Sequence, residues 1–333
     1  MEKLISSECD HTEALRECRL CPRNCGVDRL AGKTGYCGQG ASIKAARAAL
    51  HFWEEPVLSG IQPEKYDPLN PGSDKRRGSG AVFFSGCNLR CVFCQNHDIA
   101  LGNAGKEITT ERLAEIFFEL KEKGAYNINL VTATPFIPQV CEALYTARRN
   151  GLDIPVIFNC GGYENVSALK MLDGLVDIYL PDMKYYSEEC GRKYAKAPDY
   201  FEKSKLALSE MYRQVGEPVF GDDGMMKSGI IVRHLVLPGE TANSKHILRY
   251  LHETYRDRVF ISIMNQYTPM TDVLAASPEC AALQDLFRKV TADEYDRVVD
   301  FAMKIGIEKA FIQEGETAEE SFIPNFDNEG IDP

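Results

Sequence analysis

The chain has 333 residues, enough for one barrel-sized domain with a small appendage. Hydrophobic residues make up 44% and charged residues 26%, ordinary for a globular protein. A net charge of −11 without any Lys/Arg-rich run argues against nucleic acid and anionic membrane as partners. Apolar runs are strand-sized, too short to span a bilayer, and residues 1–8 lack the apolar core of a signal peptide, so a cytoplasmic location is expected.

Residues 1–50 are rich in cysteine and carry little β-pattern, and 70–80 is a loop by its Gly, Pro and Ser content. A rhythm of short apolar runs and longer amphipathic ones follows. Strands are predicted at 81–84, 127–132, 155–158, 176–180, 229–237 and 259–263, with a last edge strand at 310–312. Helices are predicted at 110–123 (capped by Thr110), 138–150, 165–172, within 187–215, at 244–254 and at 292–305. Repeated β-then-α units imply a parallel sheet with right-handed crossovers. Six units are too few to close an eight-unit barrel. An open α/β (β/α)6 TIM-like partial barrel is therefore expected over 79–313, between a Cys-rich extension (1–78) and an acidic tail (314–333). A flat doubly wound sheet is the alternative, and either fold puts its chemistry at the C-terminal strand ends.

Directly after the first strand stand Cys87, Cys91 and Cys94, spaced Cys-x3-Cys-x2-Cys within Ser85-Gly86-Cys87-Asn88-Leu89-Arg90-Cys91-Val92-Phe93-Cys94-Gln95-Asn96. A cubane has four irons and normally takes four thiolates. Three thiolates on one loop grip three corners and leave the fourth iron open to a substrate, the mark of a catalytic rather than a closed metal site. A structural cluster completed by Cys37 or Cys160, or a zinc site, is the alternative.

This loop resembles the signature of the radical S-adenosylmethionine superfamily. The resemblance implies a [4Fe–4S] cluster, S-adenosylmethionine held by the open iron, and a 5′-deoxyadenosyl radical that abstracts hydrogen. Phe93 and Asn96 would then adjoin the cofactor, and the Phe-Cys-Gln-Asn continuation points to the pyruvate formate-lyase activating enzymes and their relatives. That family's Gly-Gly-Glu is absent after the second strand, where Thr132 and Thr134 offer hydroxyls instead. Asn159 and Cys160 stand where the activating enzymes carry Asp and Thr. Asp182 and Lys184 match their Asp-x-Lys beside the cofactor, a structural ion pair being the alternative. Arg233 suits the cofactor's carboxylate. Neighbouring strand residues face opposite sides, so only one of Arg233 and His234 enters the barrel, and a structural role is expected for His234. The polar run 265–268 after the sixth strand could line the substrate side.

Cys18, Cys21, Cys25 and Cys37 form a second set, suited to zinc (the preferred reading) or to a second, closed iron–sulfur cluster; an unmetallated buried set is the alternative. They resemble the N-terminus of activating-enzyme homologues that read Cys-x2-Cys-Pro-Arg-x-Cys. The implied partners are a flavodoxin or ferredoxin as electron donor and a glycyl radical enzyme as protein substrate. A small-molecule or peptide substrate, or a non-catalytic iron–sulfur protein, are the competing readings.

Overall fold

The computed structural model describes residues 11–60, 77–276, 278–313 and 324–332. Its strands in chain order are β1 (Ile43–His51), β2 (Ser79–Phe84), β3 (Lys106–Ile108), β4 (Ile128–Val131), β5 (Val156–Cys160), β6 (Ile178–Pro181), β7 (Val219–Phe220), β8 (Met226–Leu235), β9 (Phe260–Met264) and β10 (Ala310–Ile312). One sheet runs β10-β9-β8-β6-β5-β4-β2-β1-β3, with β7 paired to β8. From β2 through β4, β5, β6, β8 and β9 to β10 every pairing is parallel, and β1 pairs antiparallel with β2 and β3.

The sheet is curled, which excludes the flat alternative. Phe83 of β2 and Phe311 of β10 line the same cavity, although five strands lie between theirs in the sheet order. Laid flat, six inter-strand steps of about 4.8 Å would hold them roughly 29 Å apart. Helices cover the convex face, among them Thr110–Glu122, Ile137–Arg149, Tyr200–Val215, Thr241–Tyr255 and Ala292–Ile305. Between sheet and helices lies the main core, where Val82, Leu130, Phe158, Tyr179, Val232 and Ile263 meet Phe117, Leu144, Leu208 and Leu248. Inside the curl, Ile157, Ile178, Leu180, Met226 and Ile231 pack around Leu58, so the short helix Pro56–Ser59 plugs the barrel from within. Among the described residues no helix is long and apolar enough to cross a membrane.

The largest departure from the sequence reading is β1, which lies in the stretch read as carrying little β-pattern. Its Ala-rich sequence Ile-Lys-Ala-Ala-Arg-Ala-Ala-Leu-His is poor in strand formers. Long-range pairing imposes the strand: β2 lies on one side, and on the other Ala48 N–H donates to Glu329 O (2.7 Å) and Asn328 N–H to Ala46 O (3.0 Å). Residues 324–332 of the predicted acidic tail thus lie along β1, while 314–323 fall outside the described residues. A smaller correction concerns a helix end: Thr109, not Thr110, caps the first long helix by accepting from Arg112 N–H. The helical stretches expected within 187–215 are Glu188–Ala195 and Tyr200–Val215, parted where Lys196 turns left-handed (φ 51°).

Candidate active site

Seven parallel strands converge on one cavity of about 640 Å3 at their C-terminal ends. Its rim is the loop after β2, with Cys87, Cys91 and Cys94 all lining the cavity. Gly86 (φ 85°) starts that loop beside the Gln39 side chain, which a Cβ would meet at 2.4 Å. Asn88 is buried and donates through Nδ2 to Tyr163 O (2.5 Å), pinning the loop to the end of β5.

The three thiols are close enough to act on one another. Burial pushes Cys94 up to about 12, and the charges of Cys87 and Cys91 add to it. Cys91 rises to about 11 through burial, while Lys184 and the Tyr185 phenol pull it back. Tyr185 O–H donates to Cys91 Sγ at 3.0 Å. The donor set fits an iron–sulfur cluster: three soft sulfur ligands on one loop, facing one cavity, with a hydrogen-bond donor already on one sulfur. The Tyr185 ring is fixed by Tyr194 (stacked, 5.9 Å between centroids) and Tyr200 (edge-on, 5.0 Å).

Phe93 lines the cavity and packs edge-on against Tyr185, Tyr194 and Tyr267. Asn96 lines it just ahead of the short helix His97–Ala100. Thr132 lines it in a left-handed conformation (φ 62°). Asn159 and Cys160 both line the cavity, and Cys160 also contributes to the core between sheet and helices. Asp182 and Lys184 stand in the wall as an ion pair, Lys184 Nζ to Asp182 Oδ2 being 2.5 Å. Burial works against the Lys184 charge, but Asp182 and Cys91 more than offset it, so its pKa is raised. Gln266 and Tyr267 of the polar run also reach the cavity, Tyr267 donating to Leu286 O (2.6 Å).

Two expectations are corrected. Thr134 does not line the cavity: it is buried, starts the turn Thr134–Phe136, and donates to Glu164 Oε1 (2.9 Å). Arg233 does enter the cavity, but its guanidinium is already engaged by two carboxylates. It donates to Glu55 Oε1 (2.9 Å) and Oε2 (2.6 Å), and to Glu54 Oε2. Its Nε and Nη2 are thus taken up by protein carboxylates rather than left to a cofactor. His234 points the other way, with Nδ1 on Met183 O (2.7 Å) and Nε2 on Ser244 Oγ (2.9 Å), and burial lowers it to about 4.

Sequence reasoning missed the floor of the cavity. His51, Trp53, Glu54 and Glu55, from β1 and the segment after it, line its lower part. Burial raises the Glu54 pKa, but Arg233 and His51 outweigh it and the net shift is downward; Asn129 Nδ2 also donates to Glu54 Oε1 (2.8 Å). The available signal was the chain's single tryptophan beside paired carboxylates, Trp53-Glu54-Glu55.

No described cysteine is in a disulfide, the N-terminal four included. Among the described residues no three Cys, His, Asp or Glu side chains are gathered so as to hold a single metal ion.

Residues 81–251 match the sequence profile of the Radical SAM superfamily. Two uncharacterized proteins of Methanocaldococcus jannaschii are similar. MJ0674 is 26% identical over 303 residues, covering 88% of this chain and 76% of that protein. MJ0808 is 26% identical over 181 residues, 52% of each. Among solved structures, Streptococcus suis SuiB bound to precursor peptide SuiA aligns over 69% of this chain and 46% of its own, at 13% identity and a TM-score of 0.46. Methylornithine synthase (PylB) aligns over 68% of each chain, at 14% identity and a TM-score of 0.40. The chain thus spans about half the length of SuiB.

Proposed function

This chain belongs to the radical SAM superfamily, and we propose that it generates a 5′-deoxyadenosyl radical in the cavity and directs it at a glycine Cα of a partner protein. The observation that supports this most is the convergence of Cys87, Cys91, Cys94, Asp182 and Lys184 on one cavity. Cys87, Cys91 and Cys94 would hold the [4Fe–4S] cluster, which when bound supplies the electron that splits S-adenosylmethionine at its S–C5′ bond. Phe93 and Tyr267 wall off water on one side. Lys184, held charged by Asp182, gives the cavity a cation beside Cys91 that suits an anionic group. The open edge of the sheet, with Trp53 half-exposed at the cavity, leaves a side through which an extended loop can enter. A flavodoxin or ferredoxin would deliver the electron.

A second reading, a small polar substrate, is favoured by the cavity volume, which falls within the range of small-ligand sites, and by the charged floor. Anaerobically reconstituted protein given dithionite and S-adenosylmethionine should release 5′-deoxyadenosine. No product from a protein with a full cluster would reject both readings. A glycyl-radical EPR signal in a candidate partner separates the first from the second; cofactor cleavage with no such signal favours the small substrate.

A further inference from the structure

The N-terminal cysteines lie outside the cavity, and the proposed reaction does not use them. Between the helix His11–Arg16 and β1, residues 17–42 form neither helix nor strand. Structureless stretches beyond about 12–15 residues are uncommon inside a compact fold. Burial does not hold this one together, because Leu20 is its single buried apolar residue, beside Arg29 and Gln39. What recurs in it is cysteine brought towards cysteine. Gly26 N–H, next to Cys25, donates to Cys18 O (2.9 Å), and Cys18 N–H donates back to Val27 O (3.0 Å). Tyr36 N–H, next to Cys37, donates to Cys25 Sγ (3.3 Å). Asn24 N–H donates to Cys21 O (3.0 Å). Gly26 and Gly38 follow Cys25 and Cys37 with φ of 63° and 75°, so each thiol is presented from a tight turn.

We infer that Cys18, Cys21, Cys25 and Cys37 hold a second [4Fe–4S] cluster, closed by four thiolates. Thiolate–metal bonds add to the cohesion that one buried leucine and the hydrogen bonds of Arg23 and Arg29 supply. A zinc ion would need all four sulfurs about 2.3 Å from one centre. Among the described residues, neither these thiols nor Cys87, Cys91 and Cys94, where the family places a cubane, are grouped so as to hold a single ion. A cubane takes one thiolate on each of four irons, so its ligands stand farther apart than those of one ion.

The site is joined to the catalytic loop. Arg23, two residues after Cys21, donates to Asn88 O (2.9 Å) and Ala195 O (2.7 Å). Its guanidinium lies 3.9 Å over the Tyr36 ring, and Arg90 faces the same ring at 5.3 Å.

The inference does not rest on the proposed reaction, and metal counting tests it alone. Reconstituted protein should carry about eight irons and eight acid-labile sulfides per chain. The variant Cys87→Ala/Cys91→Ala/Cys94→Ala should keep about four of each, with a visible absorption band and a reduced EPR signal of its own. Should that variant not fold, Cys21→Ser/Cys37→Ser in an otherwise intact chain should lower the iron count by about half. About four irons with one zinc, or about four irons and no other metal, would overturn the inference.

Discussion

The rim of the cavity draws three thiols from one stretch, residues 87–94, whereas its floor joins Glu54 and Glu55 to Arg233 across sequence separations of 179 and 178. At the rim, function is stored in local spacing, and burial keeps Cys91 and Cys94 protonated until iron arrives. At the floor, charge meets charge in the bare chain, and each member is costly without the others. Loss of a rim residue should therefore remove chemistry and spare the fold. Loss of a floor residue should strain the fold and spare the cluster.

The largest effect expected is Cys91→Ala. It removes one of three grips on the cluster, and 5′-deoxyadenosine formation should fall to the background of unreconstituted protein. Unfolding of the apo form should change by only about 1–2 kcal/mol, because the thiol lines the cavity at the edge of an aromatic cluster and its loss leaves the Tyr185 hydroxyl without its acceptor. A large loss of apo stability would place the rim with the floor and break the contrast.

Arg233→Met comes next. It leaves Glu54 and Glu55 buried without their cation, a loss of about 3–5 kcal/mol for a broken buried pair. Calorimetry should show a clear drop in Tm while iron content per folded chain holds. Adding Glu54→Gln should recover part of the loss, because one uncompensated charge is gone. Equal stability of Arg233→Met and parent would mean that water already screens the floor.

Legibility followed the same division. The cysteine loop, the β/α rhythm and the cavity at the strand ends could be read from the chain because each depends on neighbours in sequence. The alternation rule also set Arg233 and His234 on opposite sides, and Arg233 is the one inside. What could not be read was set by distant partners. β1 is Ala-rich and becomes a strand through its pairing with β2, β3 and the tail segment at 328–329. Arg233 looked like a free cation because its carboxylates lie at the other end of the chain. Thr134 looked available because nothing local announces Glu164 as its acceptor.

Tyr185→Phe sharpens the view of the rim. It keeps the ring in its aromatic packing and deletes only the donor to Cys91 Sγ. Hydrogen bonds to cluster sulfurs stabilise the reduced, more negative state. A bond to a charged acceptor is worth about 1.5 kcal/mol, or roughly tenfold in the reduced-to-oxidised ratio at a fixed poise. Redox titration followed by EPR should show the variant harder to reduce. Tyr194→Phe, whose hydroxyl donates to Glu240 Oε1 (2.6 Å) rather than to sulfur, should not shift the titration. Equal shifts in both variants would assign the effect to packing.

A pH dependence is expected behind the strand ends. Glu164 is buried, and burial lifts it from 4.5 to about 7, with the charge of Asp182 adding to the rise and Thr134 and Cys160 opposing it. A carboxyl raised on folding contributes stability that is complete below its unfolded pKa and is lost as pH climbs through the folded one. The parent should therefore lose stability between about pH 4.5 and 7. His234 acts in the opposite sense: lowered from 6.5 to about 4, it withdraws stability as pH falls through that range. The two oppose each other in one window, so the parent's profile alone separates neither. Glu164→Gln separates them, since its amide oxygen can still accept from Thr134 but does not titrate. The Tm difference between variant and parent should grow in the variant's favour from about pH 4.5 to 7 and stay level above. A difference that stays constant with pH would mean that Glu164 is ionised throughout, with a cation close enough to offset its burial.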